Sequence, residues 1–156
     1  MKIMISACLT GINCKYNGGN NLDEELMRQL EGHELIPVCP ELMGGLPVPR
    51  IPSEICGGVV MTKNGRNVDR EFREGAGKCL ETARKEMPEL VIFQPRSPSC
   101  GVKQRYDGSF SGRLIGEPGI TAALLAENGF RVIDAEEFKL KAASGSKEAS
   151  DQNQGQ

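Results

Sequence analysis

The sequence predicts an α/β fold: a single three-layer domain with a small, mostly parallel, Rossmann-like sheet and helices on its faces. Three observations predict it. Short β-prone apolar runs alternate with segments of helical period, the pattern of right-handed crossovers between parallel strands. The runs within residues 2–7, 34–38 and 89–93 each stop at turn-forming residues. Each is followed by a loop that delivers one cysteine, Cys8, Cys39 or Cys100, so a parallel sheet brings three thiols to the same carboxyl edge, where such folds do their chemistry.

The first strand, about residues 3–7, runs into a loop at 8–19 dense in turn formers. A first helix follows, with Asn21 as N-cap, Glu24 completing a capping-box variant, and Leu22, Leu26, Met27 and Leu30 on one face. Gly32 stops it, and His33, the only histidine, suits that helix end as a solvated residue. The second strand, 34–38, leads through Cys39-Pro40-Glu41 into an irregular loop stiffened by Pro47, Pro49 and Pro52, of the long kind that is usually functional. Asn64-Gly65 between short β-prone arms signals a hairpin within 57–68.

A long helix, 69 to about 87, carries Phe72, Ala76, Cys79, Leu80, Ala83 and Met87 on one stripe, with Asp69 as cap and Pro88 as stop. Cys79 reads there as a core residue. The third strand, 89–93, feeds the Cys100 loop, and the polar segment 104–117 reads as an irregular hairpin around Asp107-Gly108. Pro118-Gly119 opens a last helix with Ile120, Ala123 and Leu124 inward and Gly129 at its C-terminal cap, before a short fourth strand at 130–133. From Lys139 apolar periodicity ends, so the expected organisation is a domain at 1–138 and a disordered tail at 139–156.

A chain of 156 residues fits one domain of roughly 100–200 residues. With 4% aromatic residues and no Trp, its core must be aliphatic. A net charge of -2 excludes a broad nucleic-acid surface, which needs a basic patch, and leaves a small nucleobase or nucleotide open. The apolar N-terminal run is too short for a signal-peptide core or a membrane span, so a cytoplasmic protein is expected. Six cysteines in a reducing compartment read as metal ligands, catalytic thiols or buried small residues rather than disulfides. The absence of Cys-x-x-Cys removes zinc-knuckle and thioredoxin-like readings.

Cys8, Cys39 and Cys100 at one sheet edge can surround a metal centre and leave a coordination position open to substrate. Thiolates without histidine suit iron-sulfur chemistry or zinc. Glu41 is the natural acid or base, since an extended segment would send it the same way as Cys39; it reads equally as a loop carboxylate paired with Arg50. Ser97 and Ser99 can act chemically or close an ST-turn. Arg50 and Arg96 can anchor an anion, offset thiolate charge or be solvated, and Cys14 can be a fourth ligand, a resolving thiol or packing. Two rival readings stand: a zinc-stabilised binding module closed by Cys8, Cys14, Cys39 and Cys100, and a metal-free persulfide or thiol enzyme whose Cys100 nucleophile needs a lowered pKa.

Ser6-Ala7-Cys8-Leu9-Thr10-Gly11 with Cys14 and Tyr16, Cys39-Pro40-Glu41 with Gly44-Gly45-Leu46 and Pro49-Arg50, Ser97-Pro98-Ser99-Cys100-Gly101, and Gly119-Ile120-Thr121-Ala122 follow one another in this order. Together they resemble the thiouracil desulfurase family over about residues 1–138. The resemblance implies an oxygen-sensitive [4Fe-4S] cluster held by three cysteines, falling on Cys8, Cys39 and Cys100, and a catalytic Glu and Ser, falling on Glu41 and Ser97. It implies non-redox removal of sulfur from a small thiolated nucleobase or nucleoside such as 2-thiouracil. The substrate sulfur would bind the open iron, Glu41 would activate water, and Ser97 would hydrogen-bond the substrate or the developing charge. Cys56 departs from the family pattern.

Overall fold

Ile3, Met4 and Ile5 are fully buried, and so are Val91, Ile92 and Phe93, as strands in a parallel sheet covered on both faces must be. The structure is a computed structural model that describes residues 1–154, with side-chain surroundings for residues 1–144. Four parallel strands form the main sheet in the order β2 (Glu34–Val38), β1 (Lys2–Ser6), β5 (Leu90–Phe93) and β8 (Val132–Asp134). Helices α3 (Asp69–Glu86) and α4 (Ile120–Glu127) cover one face, packing Cys79, Ala83, Ala122 and Leu125 on Met4, Val91 and Phe93. Helices α1 (Glu24–Gln29) and α5 (Ala135–Gln154) cover the other, where Leu26 and Leu30 meet Ile3, Ile5 and Ile92. The expected three-layer α/β architecture is therefore observed. No helix among the described residues is long and apolar enough to cross a membrane.

Two small antiparallel units flank the carboxyl edge: β3 (Ser53–Cys56) with β4 (Val59–Thr62), and β6 (Arg105–Tyr106) with β7 (Leu114–Ile115). Ile55, Val60, Leu46 and Val68 seat the first on Phe72 of α3. Its tight turn is Gly57-Gly58, with φ of 56° and 81°, the left-handed pair that a two-residue hairpin turn demands. Asn64-Gly65 folds the chain back a second time, and Val68 N donates to Val60 O at 2.9 Å.

Several local expectations are corrected. Asp23, not Asn21, caps α1 by accepting Leu26 N at 3.0 Å, and Leu22 is exposed. Asp69 does not cap α3; its carboxylate accepts Val60 N at 3.0 Å instead. Met87 leaves the buried stripe because it terminates α3 with a φ of 50° and turns outward. On helix α4 the expected Ile120 and Leu124 pack part-buried against the core, while Thr121, Ala122 and Leu125 are buried more deeply and the Thr121 hydroxyl meets Ser99 Oγ at 2.7 Å. Helix α5 crosses the boundary placed after Phe138, and Lys139 pairs with Asp23 at 2.7 Å. Loss of apolar periodicity there does not stop a helix, since Ala, Lys, Glu and Gln are themselves helix formers. Residues 155–156 of the expected tail lie outside the described residues.

Candidate active site

The loops after β1, β2 and β5 open on one edge because the strands are parallel and adjacent. Cys8 lies in a short 3-10 turn, Ala7–Thr10, directly after β1, Cys39 immediately follows β2, and Cys100 lies in the loop after β5. A cleft of about 570 Å³ at this edge is lined by all five residues singled out from the sequence: Cys8, Cys39, Cys100, Glu41 and Ser97. Cys14, Arg50 and Arg96 line it as well. Ser99 lies behind the wall, bonded to Thr121, and Cys79 lies under the sheet against Met4. Cys56 turns away, its thiol donating to Gly108 O at 3.1 Å. His33 meets the N-terminal amine at 2.9 Å, outside the cleft.

Burial pushes the Cys8 thiol upward, opposed by the Asn21 amide, which donates to Cys8 Sγ at 3.5 Å. Cys14, 2% exposed, is pushed up to about 12 by burial and by the neighbouring Cys39 and Cys8. Cys100 is driven well above the ordinary thiol value by burial, and Cys8 adds to this while a hydrogen bond with Ser6 opposes it. Cys8, Cys14 and Cys100 therefore resist ionising unaided. A bound cationic centre reverses that, because a coordinating thiol is deprotonated outright.

Among the described residues no three His, Cys, Asp or Glu side chains converge tightly enough to share one metal ion. A closed tetrahedral zinc site, with Zn–S of about 2.3 Å, would need sulfurs about 4 Å apart. A four-iron cluster takes one thiolate per iron and so accepts wider spacing. Three thiols brought to one cleft from three strand ends, with no histidine beside them, fit the donor chemistry of an iron-sulfur cluster.

Glu41 reaches the cleft by a route that the extended-strand expectation missed. Residues Pro40–Met43 form a short helix, α2, with Pro at its start, and Glu41 projects from its first turn. This helix lies directly on α3, where the approach is so close that a Cβ on Gly44 would run into Glu71 O and one on Gly75 into Pro40 O. Arg50, 8% exposed in its side chain, donates from Nη2 to Glu41 Oε2 at 3.2 Å and to Cys14 O at 2.9 Å. Burial raises the Glu41 pKa and the Arg50 charge opposes it.

Ser97 holds the third loop. Its Oγ accepts the amides of Ser99 at 3.1 Å and Cys100 at 3.0 Å, the ST-turn role, while the side chain still lines the cleft. The start of α4 locks the same loop: Thr121 N donates to Ser99 O at 2.9 Å and Gly119 N to Gly101 O at 2.7 Å. Arg96 is committed to Glu136 at 2.9 Å. Sequence reasoning missed Glu54, Tyr106 and Phe110 in the cleft wall. Local pattern holds no signal for the Glu54 contacts, whose partners lie 54 and 56 residues away. Glycine inside the otherwise helical stripe at Gly75 is the one mark that could have announced the α2 contact.

The 2-thiouracil desulfurase family model matches residues 3–137. The uncharacterized protein YbbK of Bacillus subtilis (strain 168) is 39% identical over 146 residues, covering 87% of this chain and 97% of its own length. The solved structure of the [4Fe-4S]-dependent thiouracil desulfidase TudS is similar with a TM-score of 0.83 and 34% identity, over 93% of this chain and 97% of that one.

Proposed function

This chain belongs to the 2-thiouracil desulfurase family, and from that premise we propose that it is a [4Fe-4S]-dependent desulfurase hydrolysing the carbon–sulfur bond of a thiolated nucleobase or nucleoside. The carrying observation is the meeting of Cys8, Cys39 and Cys100 with Glu41 and Ser97 in one cleft. The likeness to the TudS structure supports the cofactor and the reaction class. A cleft of about 570 Å³ lies in the usual size range of small-molecule sites. Six free thiols suit a reducing cytoplasm.

Cys8, Cys39 and Cys100 would hold the cluster, which when bound supplies Lewis acidity toward a soft thiocarbonyl sulfur. Glu41, oriented by Arg50, accepts a proton from the water that attacks the carbon. Two amides occupy the acceptor side of Ser97 Oγ, so its own O–H remains as a donor toward the base or the charge that develops on it. The water oxygen forms the new carbon–oxygen bond, the carbon–sulfur bond breaks, and sulfur leaves as sulfide. A thione and a water become an oxo base and hydrogen sulfide, with no oxidant or reductant consumed. A metal-free Cys100 nucleophile gains no support, because burial drives that thiol away from the lowered pKa it needs.

The test is sulfide release from 2-thiouracil by anaerobically prepared, cluster-loaded protein and by its Glu41→Gln variant. Glutamine keeps an acceptor for Arg50 but cannot take the proton, so iron content should hold while turnover falls about 10²–10⁴-fold. Full turnover in Glu41→Gln removes Glu41 as the base, and no sulfide from the wild type removes the reaction.

A further inference from the structure

The segment between β6 and β7 is built more firmly than a connection requires. Asp107 N donates to Arg113 O at 2.9 Å across its base, and Ser109 N donates to the Asp107 carboxylate at 2.9 Å. Its tip is fastened to β3: Glu54 Oε1 accepts the amides of Gly108 at 3.0 Å and Phe110 at 3.1 Å, and the Cys56 thiol donates to Gly108 O. The grip holds Phe110 at a φ of 56°, a left-handed conformation that bulky residues rarely adopt and that gathers at ligand sites. Phe110 lines the cleft together with Tyr106 from the same unit and with Glu54 itself. These groups are neither the thiols nor the proton acceptor, and a ring fixed at such a backbone presents a flat apolar surface to whatever enters.

We propose that Phe110 is a specificity-determining residue that stacks on the flat face of the thiolated base, and that Glu54 is the positioning residue that fixes the ring there. The proposal rests on the function above and adds how the site selects a planar substrate. Stacking is indifferent to the atom exchanged in the reaction, because the ring face is shared by thione and oxo base. It explains a use for Cys56 as a second fastening of the same loop.

The experiment is titration calorimetry of anaerobic, cluster-loaded protein with 2-thiouracil and with uracil, which offers the same ring face without sulfur. Phe110→Ala should weaken both bases about tenfold at unchanged iron content, and Phe110→Tyr should bind both like the wild type. Glu54→Ala should weaken both to a similar degree, whereas Glu54→Gln, which keeps an acceptor oxygen for the two amides, should stay close to wild type. Phe110→Ala that binds both bases normally, or loses affinity for 2-thiouracil alone, overturns the stacking role. Glu54→Ala that binds both normally overturns the positioning role. A wild type that binds neither base overturns this proposal together with the proposed function, so the two failures are told apart.

Discussion

Cys79 and Cys100 share one apolar cluster, both buried and both pushed upward by that burial, yet they stand in different chemistry. Cys79 projects from the middle of α3, with its Sγ 3.8 Å from Met4 Sδ beneath the sheet. Cys100 sits beyond β5 and opens on the cleft close enough to Cys8 and Glu41 for both to raise it. The middle of the sheet is sealed by helices on both faces, whereas its carboxyl edge is where the crossovers leave and a cleft can form. Burial alone therefore does not separate a packing thiol from a proposed ligand; place in the fold does.

The largest effect should come from breaking that distinction directly. Cys8→Ala, Cys39→Ala or Cys100→Ala should each abolish bound iron, acid-labile sulfide and desulfuration after anaerobic reconstitution. Cys79→Ala should keep all three and lose about 1–2 kcal/mol of stability to the small cavity it leaves, read from denaturant unfolding. An iron-free Cys79→Ala, or an iron-replete Cys100→Ala, would put the boundary between core and site in the wrong place.

The same positional rule explains what the sequence made legible. Strand-end cysteines could be read because an apolar run followed by a turn marks both the strand and the edge where it ends, and Cys79 could be read as core from helical spacing. Glu41 was reached for the wrong reason, since the turn of α2 is only four residues long and sits among prolines and glycines that suggested a loop. The turn at Asn64-Gly65 was legible, with Met61 bridging Asn67 across it, whereas the second turn at Gly57-Gly58 was not, because packing of Val60 and Ile55 on Phe72 joins β4 to a β3 that sequence read as loop. The α4 face was read in part: Ile120 and Leu124 do pack on the core, but the deeper burial of Thr121 against Ser99 follows from a hydroxyl pair that apolar spacing does not show. Contacts between residues far apart in sequence, such as Glu54 with Phe110, leave no trace in either local pattern.

A smaller effect should separate two glycines of α3. A Cβ on Gly75 would strike Pro40 O and crowd Gly44 N at 3.0 Å, while one on Gly77 meets nothing within 4 Å. Gly75→Ala should cost about 1–3 kcal/mol through overpacking. It should also lower iron occupancy, because it pushes α2 and the adjoining Cys39 off their seat. Gly77→Ala should stabilise by roughly 0.5–1 kcal/mol, since alanine loses less backbone freedom in a helix, with iron content unchanged. Equal behaviour of the two would mean that α2 is not positioned by this contact.

The smallest effect belongs to the far face, where the ion pair between Asp23 and Lys139 joins α1 to α5 without lining the cysteine cleft. Lys139→Ala should leave iron and turnover unchanged and cost about 0.5–1 kcal/mol, the scale of a partly exposed pair. Burial alone would raise Asp23, but the Lys139 ammonium and the Leu26 amide outweigh it and hold the carboxyl below its ordinary 3.8. That contribution is present above pH 3.8 and is lost as pH falls through the lower folded value. Lys139 is raised above its ordinary 10.5 mainly by the hydrogen bond to Asp23, so its contribution is present below that value and is lost as pH rises through the folded one. The difference in urea midpoint between wild type and Lys139→Ala should therefore stay level near neutrality and close at both extremes. A difference that ignores pH would assign the loss to the lysine's methylene packing against α1 instead of its charge.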